Sequence, residues 1–292
     1  MELPHPLSDH IALDLERRTL RLRRDRTIEL VMPTSEASVV DVYSALGRPN
    51  DDPHWADLWH GGAALASAVL ERPELVRGKR VIDLGCGLGV AGIAAAMAGA
   101  REVVMSDREE RALWCSLAGC RANGVRDVRE LSREWNAPDD VELPPVPTYD
   151  DVDDCGSNCI VSAAKVDWFE PELAPTGFDV VLACDVLYTP EAVDAIATLV
   201  MRLFGRDEVN DGKGDENGNK RARGVFILAD PPGRFPKNHE RFMSLMENPS
   251  LIPGYEGRDR HSIVSVTSST DDYLNLERKV MAVKLSTYEI TS

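Results

Sequence analysis

Asp83, Gly85, Gly87 and Gly89 close an apolar run, Val81-Ile82-Asp83-Leu84, and lead into an alanine-rich stretch. A carboxylate followed by alternating glycines suits a strand that turns into a helix. Glycine permits the tight turn and lets a ligand come close to the backbone. The helix that follows presents unpaired N–H groups and a positive dipole end to an anionic group. Asp107 ends the next apolar run, Glu102-Val103-Val104-Met105-Ser106-Asp107, where a carboxylate is placed to take two ribose hydroxyls. Gly87-x-Gly89-x-x-Gly92 also fits the dinucleotide fingerprint, so a nicotinamide cofactor competes. Asp83 weighs against it, because dinucleotide folds usually keep an apolar residue there. Further along, Asp167-Trp168 and Asp185-Val186-Leu187-Tyr188 each follow an apolar run and bring a carboxylate together with an aromatic ring.

These residues need a sheet whose carboxyl ends share one edge. A strand is expected over Arg26–Met32, stopped by Pro33, then a short helix over 36–46. Asn50-Asp51-Asp52-Pro53 reads as a turn, and a helix follows over Ala63–Glu71. After the glycine turn, a helix over Arg108–Asn123 ends at the Asn123-Gly124 pair. Strands are expected at Ile160–Val166 and Phe178–Ala183, the second apolar enough to be central. A helix from Pro190 to Phe204, a strand at Val225–Ala229, a helix near 238–247 and strands at Ser262–Val266 and Val280–Leu285 complete the pattern. Strands alternating with helices predict an α/β fold with a doubly wound, Rossmann-like seven-stranded sheet whose last strand is antiparallel. Residues 1–50 read as an N-terminal extension with a short strand, and 51–292 as the main domain. Two acidic, Gly/Pro-rich insertions interrupt it, at 127–158 and 206–223, the first read as mostly disordered. Positions 211–222 faintly match a calcium loop, but Lys213, Glu216 and Ala222 stand where a ligand, the turn glycine and the bidentate glutamate belong.

Composition narrows the function. The 292 residues carry a formal net charge of -16. Nucleic acid binding needs a cationic footprint, so an acidic chain argues against it. The six cysteines contain no C-x-x-C pair, and the six histidines show no zinc-type spacing. No metal site is expected. No apolar run is long enough to span a membrane, and the acidic N-terminus has neither signal-peptide nor transit-peptide character. A cytoplasmic monomer without nucleic acid or membrane partners is the expectation.

Asp-x-Gly-x-Gly-x-Gly, with an acidic residue ending the second strand, resembles the motif pair of class I S-adenosylmethionine (AdoMet) methyltransferases. Asp185-x-x-Tyr188 after the fourth strand narrows the resemblance to the lysine methyltransferase group often called methyltransferase family 16. Asp52-Pro53-His54-Trp55-Ala56-x-x-Trp59-His60-Gly61-Gly62, Val76-Arg77-Gly78-Lys79 and Asp230-Pro231-Pro232-Gly233-Arg234 are similar to one branch of it. His60 departs from that branch, which has proline. Methylases of planar nitrogens usually carry Asp/Asn-Pro-Pro-aromatic after the fourth strand. Here the Pro-Pro pair follows the fifth strand and ends in Gly233.

The resemblance implies AdoMet as cofactor, held by Trp59, Asp83, Gly85, Gly87, Gly89, Asp107, Asp167, Trp168 and Ala183. It implies Asp185 and Tyr188 as the catalytic pair and a lysine-bearing protein as substrate, with a mitochondrial location as an alternative. A small molecule or a protein histidine is the rival acceptor, and a non-catalytic AdoMet-binding scaffold the rival of another class. A free lysine has a pKa near 10.4, so presenting it neutral at pH 7 costs about 4.6 kcal/mol at ~1.36 kcal/mol per unit. A carboxylate beside it favours the ammonium. Asp185 is therefore expected to capture and orient the amine, not to deprotonate it.

Overall fold

The computed structural model describes residues 13–129, 145–205, 222–231, 233–253, 262–274 and 280–291. In chain order the elements are β1 (Leu15–Arg21), β2 (Thr27–Pro33), α1 (Glu36–Ala45), α2 (His60–Glu71), β3 (Arg80–Leu84), α3 (Val90–Met97), β4 (Glu102–Asp107) and α4 (Glu110–Ala122). They continue with β5 (Asp127–Val128), β6 (Ile160–Lys165), β7 (Val180–Cys184), α5 (Pro190–Leu203), β8 (Ala222–Asp230), α6 (Pro236–Glu247), β9 (Ser262–Leu274) and β10 (Val280–Thr291).

The main sheet runs β5-β6-β4-β3-β7-β8-β10-β9. β3, β4, β6, β7 and β8 are mutually parallel, and β10 is antiparallel to both β8 and β9. This is the expected doubly wound sheet with its antiparallel strand, extended at one edge by the two-residue β5. Alternate residues of the central strands feed two cores. Val81, Val103 and Val180 pack with α2, α3 and α4, while Ile82, Val104 and Val181 pack with α5 and α6. Strands buried on both faces read as continuous apolar runs, which is why they were legible.

β1 and β2 form a separate antiparallel hairpin. The residues expected as an N-terminal extension join the main core through Leu20, Ile28 and Leu30. Asn123 ties the hairpin to α4: its Oδ1 accepts from the Glu29 N–H at 2.9 Å and its Nδ2 donates to the Glu29 carbonyl at 2.6 Å.

The expected first insertion is only partly outside the described residues, at 130–144. Residues 145–158, read as disordered, are pinned instead. Val146 is buried, and its carbonyl accepts from Arg121 at 3.2 Å. Arg17 on β1 pairs with Asp151 at 3.1 Å and lies 4.8 Å over the Tyr149 ring. Arg126 pairs with Asp154 at 3.7 Å. The acidic run thus meets arginines of its own chain, which composition alone does not reveal. Residues 206–221, with most of the calcium-like stretch, lie outside the described residues, and Ala222 already belongs to β8.

Candidate active site

A cavity of about 430 Å³ opens over the carboxyl ends of β3, β4 and β7. Its floor is the glycine turn between β3 and α3. Gly85 sits at φ +65°, and an added Cβ would stand 2.8 Å from the Trp168 ring. Gly87 sits at φ +51°, and a Cβ there would stand 3.0 Å from the Trp55 carbonyl oxygen. Both positions combine a left-handed backbone with a close approach, so glycine is needed twice over. Asp107 clamps this turn from β4. Its Oδ2 accepts from the Gly87 N–H at 2.9 Å and its Oδ1 from the Glu109 N–H at 3.0 Å. Withdrawal from solvent raises its pKa above the usual carboxylate range.

Asp83 lies behind this wall, 1% exposed. Its Oδ2 accepts from the Gly92 N–H at 2.7 Å in the first turn of α3, while Oδ1 is buried without a hydrogen-bond partner. Burial pushes its pKa up to about 7, with the Asp107 charge adding and the Gly92 bond opposing.

The other end of the cavity is built around Asp185, just past β7. Its backbone is left-handed at φ +54°, a conformation that costs a non-glycine residue about 1–3 kcal/mol and clusters at functional sites. That twist leaves the carboxylate between α2 and the β8–α6 loop. Oδ2 accepts from the Gly61 N–H at 2.8 Å at the α2 N-terminus, and Oδ1 from Arg234 Nη1 at 3.2 Å. The Arg234 guanidinium lies 4.0 Å over the Trp59 ring, a cation–π contact. Asp185 is buried, which with the nearby Asp230 charge pushes its pKa up to about 7 against the pull of Arg234 and Gly61. Tyr188 faces the cavity with its ring 5.8 Å from that of Trp168.

The cavity therefore brings together Trp59, Gly85, Gly87, Asp107, Asp167, Trp168, Asp185 and Tyr188 of the residues singled out by sequence. Three others do not line it. Asp83 braces α3 from behind. An added Cβ at Gly89 would meet Ser116 on α4, so that glycine serves helix packing. Ala183 points into the core of α5 and α6. Trp59 also supports Arg234, and its Nε1 donates to the His54 carbonyl at 2.9 Å. Asp167 Oδ1 accepts from the Phe169 N–H at 2.9 Å. Sequence reasoning missed Tyr43, Arg48 and Glu109, which also line the cavity, and the role of Arg234. Arg234 stood in a quoted motif, but the Tyr43–Glu109 contact spans 66 positions and left no local signal. Among the described residues, no cluster of His, Cys, Asp or Glu is arranged to hold a metal, and no helix is long and apolar enough to cross a membrane.

Comparison with known proteins bears out the resemblance. The family model for the methyltransferase small domain matches residues 55–141, which include the glycine turn and Asp107. The electron transfer flavoprotein beta subunit lysine methyltransferase of Rattus norvegicus is 43% identical over 85 residues, covering 29% of this chain and 33% of that protein. Its Xenopus laevis counterpart is 45% identical over 80 residues, covering 27% of this chain and 32% of that protein. The match thus spans about a third of the length of these relatives. A ribosomal protein L11 methylase from Lactobacillus delbrueckii subsp. bulgaricus aligns at TM-score 0.41 and 15% identity, covering 83% of this chain and 87% of that one. A likeness of that size carries no argument about function.

Proposed function

We propose that this chain is an AdoMet-dependent protein methyltransferase acting on a lysine side chain. The observation that carries the reading is one cavity floored by the glycine turn, with Asp107 at the end of β4 on one side of it and a buried carboxylate, Asp185, just past β7 on the other. The residues suit the cofactor. Asp107 keeps carboxylate lone pairs for the ribose diol, and the Gly87 cradle is narrow enough that a Cβ would fill it. Asp83 acts from behind the turn, holding the first turn of α3 through the Gly92 N–H. Trp168 supplies a flat apolar wall over Gly85. When bound, AdoMet supplies an electrophilic methyl on a sulfonium.

The chain's own contribution is alignment and exclusion of water. Asp185 accepts a hydrogen bond from the incoming amine and aims its lone pair. Arg234, at 3.2 Å, cancels much of the Asp185 charge. That eases the conflict in asking a carboxylate to orient an amine that must be neutral. Tyr188 and Trp168 wall the acceptor's path. All these residues come from one chain, so a monomer suffices. The relatives' names make the electron transfer flavoprotein beta subunit the first substrate to try.

The test is tritiated methyl transfer from AdoMet, first to purified electron transfer flavoprotein and then to a whole lysate, followed by mass spectrometry of the labelled band. Label on lysine supports the reading. Label on histidine or on a small molecule replaces the acceptor, and AdoMet binding without any transfer favours a scaffold.

A further inference from the structure

Helix α1 lies far from the glycine turn in sequence, yet it reaches the cofactor end of the cavity through a buried carboxylate. Glu109 is 7% exposed. Its Oε2 accepts from the Tyr43 hydroxyl at 2.9 Å, and that hydroxyl accepts from Trp55 Nε1 at 2.9 Å. Its Oε1 accepts from Arg111 Nη1 at 3.0 Å, and Arg48 Nη2 stands 3.6 Å from Oε2. The backbone N–H of the same residue donates to Asp107 Oδ1. Burial and the charge of Glu109 push the Tyr43 pKa upward, so its hydroxyl is a fixed donor. Tyr43, Arg48, Trp55, Asp107 and Glu109 all line the cavity, and the Trp55 carbonyl packs directly against Gly87.

We propose that Tyr43 and Glu109 are positioning residues for the nucleoside part of the cofactor. Tyr43 on α1 fixes Glu109, and the Glu109 backbone fixes the Asp107 carboxylate that receives the ribose hydroxyls. Residues 36–59 are then one wall of the cofactor site. The inference rests on the AdoMet reading of the cavity. The physics is that of a shared buried network: a neutral donor to an ionised acceptor is among the stronger hydrogen bonds, and residues in one network couple.

The experiment is calorimetric titration of the full chain with S-adenosylhomocysteine, in a cycle of Tyr43→Phe, Asp107→Asn and the double variant. Tyr43→Phe should weaken binding by about tenfold, the effect of losing one hydrogen bond to a charged group. In the Asp107→Asn background the same change should cost almost nothing, because the group being positioned is already impaired. Glu109→Gln keeps an acceptor for Tyr43 and should bind more tightly than Glu109→Ala, which gives a second reading if Tyr43→Phe folds poorly. Equal losses in both backgrounds, or no loss on Tyr43→Phe, overturn the proposal while leaving the cofactor assignment standing. Wild-type protein that does not bind S-adenosylhomocysteine overturns the cofactor assignment and this proposal with it.

Discussion

Arg234 donates to Asp185 at 3.2 Å while its guanidinium rests 4.0 Å over the Trp59 ring, so the acceptor carboxylate already has a cationic partner. Arg234 is partly exposed, so the pair is worth less than a fully buried one. Its effect on ionisation is still directional. Arg234 lowers the Asp185 pKa, which burial and Asp230 otherwise raise, leaving it at about 7. Asp230 in turn stands 3.6 Å from His239, and His239 3.2 Å from Lys284, so these groups share the field. Arg234→Gln should move the rising limb of the rate–pH profile upward by about one unit, the low end of the effect of a neighbouring opposite charge. Arg234→Lys should restore most of it. An unmoved limb would show that Arg234 does not govern Asp185.

Asp107→Ala should weaken S-adenosylhomocysteine binding by about 1.5–3 kcal/mol, because it removes charge-assisted hydrogen bonds and also frees the Gly87 turn. NAD(H) should show no binding to the wild type by the same titration. Tight NAD(H) binding would restore the dinucleotide reading of Gly87-x-Gly89-x-x-Gly92.

Asp83 makes stability depend on pH in an unusual direction. Its folded pKa is about 7, above the ~3.9 of an unfolded aspartate, so the folded chain holds the proton more tightly. The stability this contributes is complete below pH ~4 and lost as pH rises through about 7. Asp83→Asn keeps an acceptor for the Gly92 N–H and removes the titration. Its melting temperature at pH 8 should exceed that of the wild type, reflecting a gain in unfolding free energy on the order of a few kcal/mol at most. Near pH 4 the two should converge. A variant less stable at pH 8 would mean that the Asp83 charge is favourable.

How much was legible follows from which contacts are local. The parallel strands announce themselves as apolar runs, and Asp107, Asp167 and Asp185 fall at their carboxyl ends as expected. α2 starts at His60, three residues before the expected Ala63, and takes in Gly61 and Gly62. Those glycines are there for space: a Cβ on Gly61 would collide with the Asp185 carboxylate and the Ala229 carbonyl. β9 and β10 extend well past their apolar segments, because backbone pairing, which any residue can supply, carries them through Ser268, Ser269 and Thr270. The arginines that pin 145–158 lie far away in the sequence, so an acidic loop looked unpartnered.

The pinned half of the first insertion can be separated from the rest. Replacing 130–144 by a short Gly/Ser linker should change the melting temperature little, since loop closure depends weakly on length. Removing 145–158 as well should lower it clearly, by exposing the pocket of Val146, stripping Arg17 of Asp151 and leaving Arg121 only the Val128 carbonyl. Thermal scans of both deletions decide it. Equal, small effects would show that the contacts of 145–158 add little to stability.

Asp185→Asn sets function against stability at one position. Asparagine tolerates the left-handed backbone that Asp185 adopts, and its side-chain oxygen still accepts from the Gly61 N–H. What disappears is a buried charge whose folded pKa is raised, so the variant should be more stable than the wild type at pH 8 by the same sign argument as for Asp83. Arg234 loses its partner but keeps Trp59 and solvent, which limits the cost. S-adenosylhomocysteine binding should be nearly unchanged, because Asp107 lies beyond β3 from Asp185 and the Asp185 carboxylate bonds to Gly61 and Arg234 rather than to the glycine turn. Methyl transfer should fall by about 10²–10³, the loss typical of one preorganised polar group. The amide keeps the shape of the site and gives up the charged acceptor that steers the amine. Parallel thermal scans, calorimetry and tritium transfer separate these effects. A variant with full transfer would remove Asp185 from the mechanism, and one that loses cofactor binding together with transfer would place it on the cofactor instead of the acceptor.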